Sequence, residues 1–128
     1  SLLCTIMDSF GNDFAPYLEH TEKLAISLLT FSVNDDIRME AANMIPYLVN
    51  IIKNQGNVEI LHSKSKRFLA ETIIALEKEE FNGAIACQLD AIGSLVEKVG
   101  MFLKENEIKD LFVKLLEIFD KVLYCILI

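Results

Sequence analysis

The chain has few of the residues from which catalytic and metal sites are built. Its two histidines, His20 and His62, lie on different predicted helices, and neither stands in an HExxH pattern, so zinc is not expected. The cysteines Cys4, Cys87 and Cys125 show no CxxC spacing and have apolar neighbours, which predicts small buried side chains in a reducing compartment. The sequence also lacks GxxxxGK[ST], GxGxxG and the EF-hand spacing. We therefore predict no catalytic residue, no metal, no cofactor and no enzymatic activity.

Long apolar runs and extended basic clusters are missing as well. No uncharged run approaches the roughly 18–20 residues that a membrane span needs, and the first residues do not form a signal peptide. The net charge of −7 disfavours nucleic acid as a partner and suits basic proteins, although solubility alone explains it equally well. The one basic cluster, Lys64, Lys66 and Arg67, is either a contact for an acidic partner or, the interpretation we favour, a solvated helix face.

Apolar residues recur at i, i+3 and i+4 along most of the chain, which is typical of amphipathic helices. No segment alternates with a period of two residues, so the predicted fold class is all-α. The spacing predicts about six helices, over residues 1–10, 13–31, 35–54, 58–80, 82–99 and 106–127. On the second helix the predicted buried stripe is Phe14, Tyr17, Leu18, Leu24, Leu28 and Phe31. On the sixth it is Ile108, Leu111, Phe112, Leu115, Phe119, Val122, Leu123 and Ile126.

The most informative stretch is the start of the third predicted helix. Asn34 or Asp35 is placed as its N-cap, and Asp35 and Asp36 suit the positive end of the helix dipole. Pro46 lies in the middle and predicts a kink, with two shorter helices as the weaker alternative. Arg38 is predicted to pair with an acid of the turn or of the adjacent helix pair.

An acidic turn followed by Ile37-Arg38 and internal alanines resembles a HEAT repeat. The spacing of the helix pairs 13–54 and 58–99 is near 45 residues, within the roughly 40–47 of HEAT and armadillo arrays. The expected architecture is a HEAT-repeat α-solenoid fragment with antiparallel helix pairs in right-handed superhelical stacking. Residues 1–10 would be the second helix of a preceding repeat, and residues 106–127 the first helix of a following one. Because both ends are apolar, we expect a fragment of a longer array.

The order of features further resembles the importin-β (karyopherin-β) family of nuclear transport receptors, and within it the importin-β3 branch. The stretches that carry this resemblance are LLCTIMDSF, FAPYLEHTEKLAISLLTF, DDIRMEAANMIPYLV and LVEKVG. It implies a non-catalytic scaffold that shuttles between cytoplasm and nucleus and carries cargo with basic segments under control of Ran-GTP. Ran and nucleoporins would bind the parent chain, and neither nucleic acid nor membrane would be a direct partner. The turn at residues 80–83 departs from the pattern because it has no Asp-x-x-Ile-Arg.

In this family the second helix of each pair lines the concave, partner-binding side. The resemblance therefore implies contacts from Glu40, Asn43, Tyr47 and Asn50 on helix 35–54, and from Gln88, Asp90, Ser94 and Glu97 on helix 82–99. The alternative for each residue is an ordinary solvated position. Two other classes stay open: another HEAT scaffold, of the phosphatase or chromatin-associated type, and a self-contained helical bundle.

Overall fold

The computed structural model describes residues 2–127, except for the side chains of Asn12, Val122 and residues 125–127. The described chain is all-helical and contains no β-strand, as predicted. Its α-helices are α1 (Leu2–Phe10), α2 (Leu18–Leu28), α3 (Asp35–Asn54), α4 (Val58–Lys78), α5 (Asn82–Val99) and α6 (Glu105–Leu127). Two 3₁₀ segments, Gly11–Tyr17 and Gly100–Phe102, lie before α2 and after α5.

Asparagine caps set the starts of the two long central helices. Asn34 has an extended backbone, and its Oδ1 accepts hydrogen bonds from the amides of Asp36 (2.8 Å) and Ile37 (3.2 Å). Asn57 caps α4 in the same way. Between them Gly56 has a φ of +84°, which a residue with a side chain rarely adopts, and this turn ends α3. Of the two N-caps considered for α3, Asn34 is therefore the one used.

The predicted helix over residues 13–31 was wrong in its extent. The chain runs as a 3₁₀ segment up to Tyr17, and α2 ends at Leu28. Pro16 explains the late start, because it has no amide to donate and it disfavours the α conformation of the residue before it. The predicted stripe shifts accordingly: Tyr17 is 64% exposed, whereas Thr21 is buried and its hydroxyl donates to the Tyr17 carbonyl. Leu24 and Phe31 are also exposed.

The other helix bounds agree closely with the sequence. Helices α3 and α5 have the predicted bounds, and α4 ends two residues earlier than expected. Helix α3 continues through Pro46, so the alternative of two short helices was wrong. The kink at Pro46 stays a prediction.

The core is organised around α3, which packs against α1, α2, α4 and α5. Its buried side chains are Ala41, Ala42, Met44, Ile45, Leu48, Val49, Ile51 and Ile52. Burial of each large aliphatic side chain contributes about 1.5–3 kcal/mol, so this one helix supplies much of the hydrophobic stabilisation. Helix α4 packs against α5 and, more lightly, against α2.

Helix α6 packs on the molecule through one face only. Leu111 and Leu115 lie against the core, and Ile118 is 7% exposed. The predicted single stripe was wrong, because it joined this inner face to a second apolar face that points outward. The outer residues are Ile108, Phe112, Phe119 and Leu123. The side chains of Val122 and Ile126, also in the predicted stripe, lie outside those described.

Candidate functional site

Arg38 joins the turn that precedes α3 to the turn that precedes α5. Its Nε and Nη2 donate to the two carboxylate oxygens of Glu79, at 2.8 and 2.9 Å. Its Nη1 donates to the carbonyl of Phe31 at 2.9 Å, and Nη2 also contacts Asp35. Arg38 therefore pairs both with an acid of its own turn and with an acid of the adjacent helix pair, the two partners that the sequence left open. Asp36 is exposed, and its backbone amide donates to Asn34 Oδ1.

Glu79 is a structural residue that was not predicted from the sequence. Its side chain is 3% exposed, and it also accepts hydrogen bonds from the backbone amides of Glu80 and Phe81. Burial acts to raise the pKa of Glu79, but the hydrogen bonds from Arg38 and the two amides outweigh it and leave the pKa below its ordinary value. The hydrogen bonding that Arg38 donates to Glu79 is the largest cause of the raised pKa of Arg38.

Gln88 belongs to this buried network and not to a partner-binding face, so its predicted role was wrong. The residue is fully buried, and its Nε2 donates to Glu79 Oε1 at 3.2 Å. It lies on the inner face of α5 together with Ala84, Ala91 and Leu95, because residues three, four and seven positions apart share one side of a helix. Its Oε1 has no hydrogen-bond partner in the described part of the chain.

Four of the predicted contact residues line one open groove between α3 and α5. They are Asn43, Tyr47 and Asn50 on α3 and Asp90 on α5. The groove has a volume of about 530 Å³. Its floor includes two buried alanines, and its remaining lining comes from α1 and the two helices: Ala42, Ala91, Pro46, Cys4 and Cys87. Small side chains on the floor let the two helices approach closely and leave a concave surface above them.

Two carboxylates stand on the side of the groove nearer the helix starts, Glu40 in the second turn of α3 and Asp90 at the middle of α5. Glu40 accepts a hydrogen bond from the thiol of Cys4 at 3.4 Å. Burial raises the pKa of the Cys87 thiol, the Asn43 side chain lowers it, and the charges of Asp90 and Glu40 raise it further. The charges of both carboxylates therefore act on the same thiol, although Glu40 is not itself part of the groove lining.

Two lysines stand toward the opposite end, although neither is part of the groove lining. Lys98, on the last turn of α5, donates from its Nζ to the carbonyl of Pro46 at 3.3 Å. Burial lowers the pKa of Lys98, and the nearby charge of Lys53, on the last turn of α3, lowers it further, against the opposing effect of Glu97. Neither lysine was predicted from the sequence as a partner-binding residue. Because the helix starts meet at Cys87 and the helix ends meet at Lys98, α3 and α5 run side by side in the same direction.

Two of the predicted contact residues on α5 lie outside the groove. Ser94 is half-buried and Glu97 is exposed, and neither contributes to the lining.

The cysteines were predicted to be buried. Cys4 is buried as expected, whereas Cys87 is only half-buried. The side chain of Cys125 lies outside those described.

The basic cluster on α4 is divided between two ion pairs. Lys64 Nζ lies 2.8 Å from Glu22 on α2, and Lys66 Nζ lies 3.0 Å from Glu107 on α6. Glu107 also accepts from the backbone amide of Lys104, and these contacts, chiefly that with Lys66, lower its pKa. Only Arg67 is exposed. The interpretation as a uniformly solvated face was therefore incomplete, since two of the three charges tie α4 to its neighbours.

Neither histidine takes part in the groove. His20 is exposed, and His62 packs its ring against Phe102 with 5.5 Å between ring centroids. Among the side chains that the structure describes, no three His, Cys, Asp or Glu residues are grouped so as to hold a metal ion. No helix in the described residues has both the length and the apolar character that crossing a membrane would require.

Comparisons with protein-family models, with curated proteins and with solved structures found no match. The groove between α3 and α5 is therefore interpreted from its own residues.

Proposed function

We propose that this chain is a non-catalytic protein-binding segment, in which the groove between α3 and α5 receives part of a partner protein. The observation that carries the proposal is the groove itself. It is open, and it is lined by side chains that hydrogen-bond and stack, Asn43, Tyr47, Asn50 and Asp90. Tyrosine is enriched in protein–protein interfaces, and tyrosine and asparagine are both enriched in antibody binding surfaces.

We also propose that the helix pairs stack as in a HEAT array, and the order of helix contacts supports this arrangement. Helix α3 packs against its neighbour along the chain, α2, and also against α1 and α5, the next-but-one helices on either side. Helices α2 and α4 also touch. Contacts between next-but-one helices are what stacked pairs produce. The Arg38–Glu79 pair, which links the two turns of successive pairs, supports the same arrangement.

The proposed parent is a nuclear import receptor of the importin-β type, in which cargo with basic segments binds and Ran-GTP releases it. Support for this step is the resemblance of the segments around residues 2–52 and the carboxylates at one end of the groove. A net charge of −7 would steer basic partners toward the chain. The proposed localisation, shuttling between cytoplasm and nucleus, rests on the same resemblance. Another HEAT-type assembly scaffold is the second candidate, since the groove would serve it equally.

The test is capture of proteins from a nuclear extract on the immobilised chain, with captured proteins identified by mass spectrometry. Asp90→Lys places a positive charge in the groove, and Glu117→Lys makes the same change at an exposed position of α6 as a matched control. Basic nuclear proteins should be captured by the unchanged chain and by the control, and lost with Asp90→Lys.

The partner identities then separate the candidates. Release of the captured proteins by GTP-locked Ran supports the transport receptor. Capture of phosphatase or chromatin subunits that ignore Ran supports the other scaffold. Capture that Asp90→Lys leaves unchanged would remove the groove as the binding site.

A further inference from the structure

The two ends of the groove carry opposite charges, and none of these charged groups forms an ion pair within the described chain. At one end are the carboxylates of Glu40 and Asp90, neither of which lies in ion-pair contact with a described lysine or arginine. At the other end are Lys53 and Lys98, and no described carboxylate lies in ion-pair contact with either ammonium group. Both ends therefore offer a free charge to an incoming chain.

Lys98 differs in this respect from the other partly buried cations. Arg38, Lys64 and Lys66, whose side chains are 12–35% exposed, each form an ion pair with an acid of a neighbouring helix. Lys98 is half-buried as well, yet its polar contact is the carbonyl of Pro46, which belongs to the groove lining. Partial burial of an unpaired charge is unfavourable. An acidic side chain placed at this end would remove that cost.

We propose that the groove binds an extended segment of a partner protein that carries both charges, a lysine or arginine at the Glu40–Asp90 end and an aspartate or glutamate at the Lys53–Lys98 end. This inference rests on the proposed protein-binding function and specifies the chemistry of its partner. A segment with basic residues alone would place a like charge against Lys98, and a wholly acidic segment would meet Glu40 and Asp90. The groove therefore selects by repulsion as well as by attraction.

The helix rise sets the spacing of the two charges in the partner. From Asp90 to Lys98 the distance along α5 is about 12 Å, and from Glu40 to Lys53 along α3 it is about 20 Å, at about 1.5 Å per residue. An extended chain advances about 3.3 Å per residue, so the two charges should stand about four to six positions apart. In a partner helix, which rises about 1.5 Å per residue, the same distances would instead place the two charges about eight to thirteen positions apart.

The test begins with a random dodecapeptide library displayed on phage and selected on the immobilised chain. Enriched peptides are then synthesised, and their dissociation constants are measured by fluorescence anisotropy at low salt. We expect enriched peptides to pair one basic with one acidic residue at the stated spacing. Replacement of either peptide charge by serine should weaken binding by about fivefold, the effect of one interfacial ion pair of about 1 kcal/mol.

Variants of the chain assign each peptide charge to its end of the groove. Lys53→Glu, at an exposed position, should weaken the two-charge peptide and strengthen the same peptide with its acidic residue changed to lysine. Asp90→Lys should weaken the two-charge peptide and strengthen the same peptide with its basic residue changed to an acidic one. Glu117→Lys should leave the dissociation constants of these peptides unchanged. Peptides that are basic alone, acidic alone, or insensitive to Lys53→Glu would overturn the two-charge inference. Basic peptides whose binding is lost with Asp90→Lys would overturn the two-charge inference but support the groove as a protein-binding site. If no peptide were enriched, both the two-charge inference and the proposed protein-binding function would be overturned.

Discussion

Arg38 and Glu79 form a bidentate ion pair between the two helix pairs, with both carboxylate oxygens of Glu79 within 2.9 Å of guanidinium nitrogens. The two side chains are 12% and 3% exposed, so solvent screens their interaction only weakly. The pair fixes the spacing between the turn before α3 and the turn before α5. These are the two helices that form the groove, so the shape of the groove depends on this contact.

Arg38→Ala should lower the free energy of unfolding by about 3 kcal/mol, because it leaves the Glu79 carboxylate buried without its counter-charge. Urea unfolding at neutral pH measures the change. Lys23→Ala is the matched control, since Lys23 pairs with Glu19 at 3.4 Å on the surface with both side chains mostly exposed. The control should change the free energy by less than about 0.5 kcal/mol. Equal effects of the two variants would show that the buried pair does not stabilise the fold.

Glu79 should make the stability depend on acid pH. Its pKa is lowered in the folded chain, so its contribution is complete above the ordinary pKa of a glutamate and is lost as the pH falls through the folded value. Glu79→Gln should therefore destabilise the chain by about 2 kcal/mol at pH 7. The difference from the unchanged chain should shrink below about pH 4.3. Urea unfolding at several pH values between 7 and 3 measures it, and a difference independent of pH would contradict the assignment.

The sequence predicted the helices well wherever local signals decide them. The caps and apolar spacing placed α3 and α5 correctly, because these signals act within a few residues. The start of α2 was missed because the conformational effect of Pro16 outweighs an apolar pattern that continues through it. A stripe can also belong to two faces, as α6 shows, since periodicity does not say which face meets the core.

Partners distant in the chain were harder to predict. Arg38 was expected to meet an acid, but Glu79 lies 41 positions away, and several acids near it are equivalent in sequence. The family resemblance placed Gln88 on the partner-binding side of its helix, whereas the residue is buried against that same carboxylate. Lys98 resembled a helix-ending lysine, and only the packing of α3 beside α5 gives it a place at the groove.

Asn34→Ala should cost about 1 kcal/mol of unfolding free energy, since it removes the side-chain acceptor of two backbone amides at the start of α3. Thermal or urea unfolding measures the loss. Asn106→Ala is a suitable control, because Asn106 is exposed in the first turn of α6 and makes no described hydrogen bond. An unchanged midpoint for Asn34→Ala would mean that packing alone sets the start of α3.

The thiol of Cys87 reports on the charge of the groove directly. Because burial and the carboxylates of Asp90 and Glu40 raise its pKa, less of it is thiolate near pH 7.5, and it should react with iodoacetamide more slowly than an exposed cysteine in a short peptide. Asp90→Lys replaces a repelling charge with an attracting one and should speed alkylation severalfold, as mass spectrometry of the Cys87 peptide would record. Glu117→Lys should leave the rate unchanged. If Asp90→Lys also left it unchanged, Asp90 would not act on the groove, and the proposed attraction of basic segments would lose its electrostatic basis.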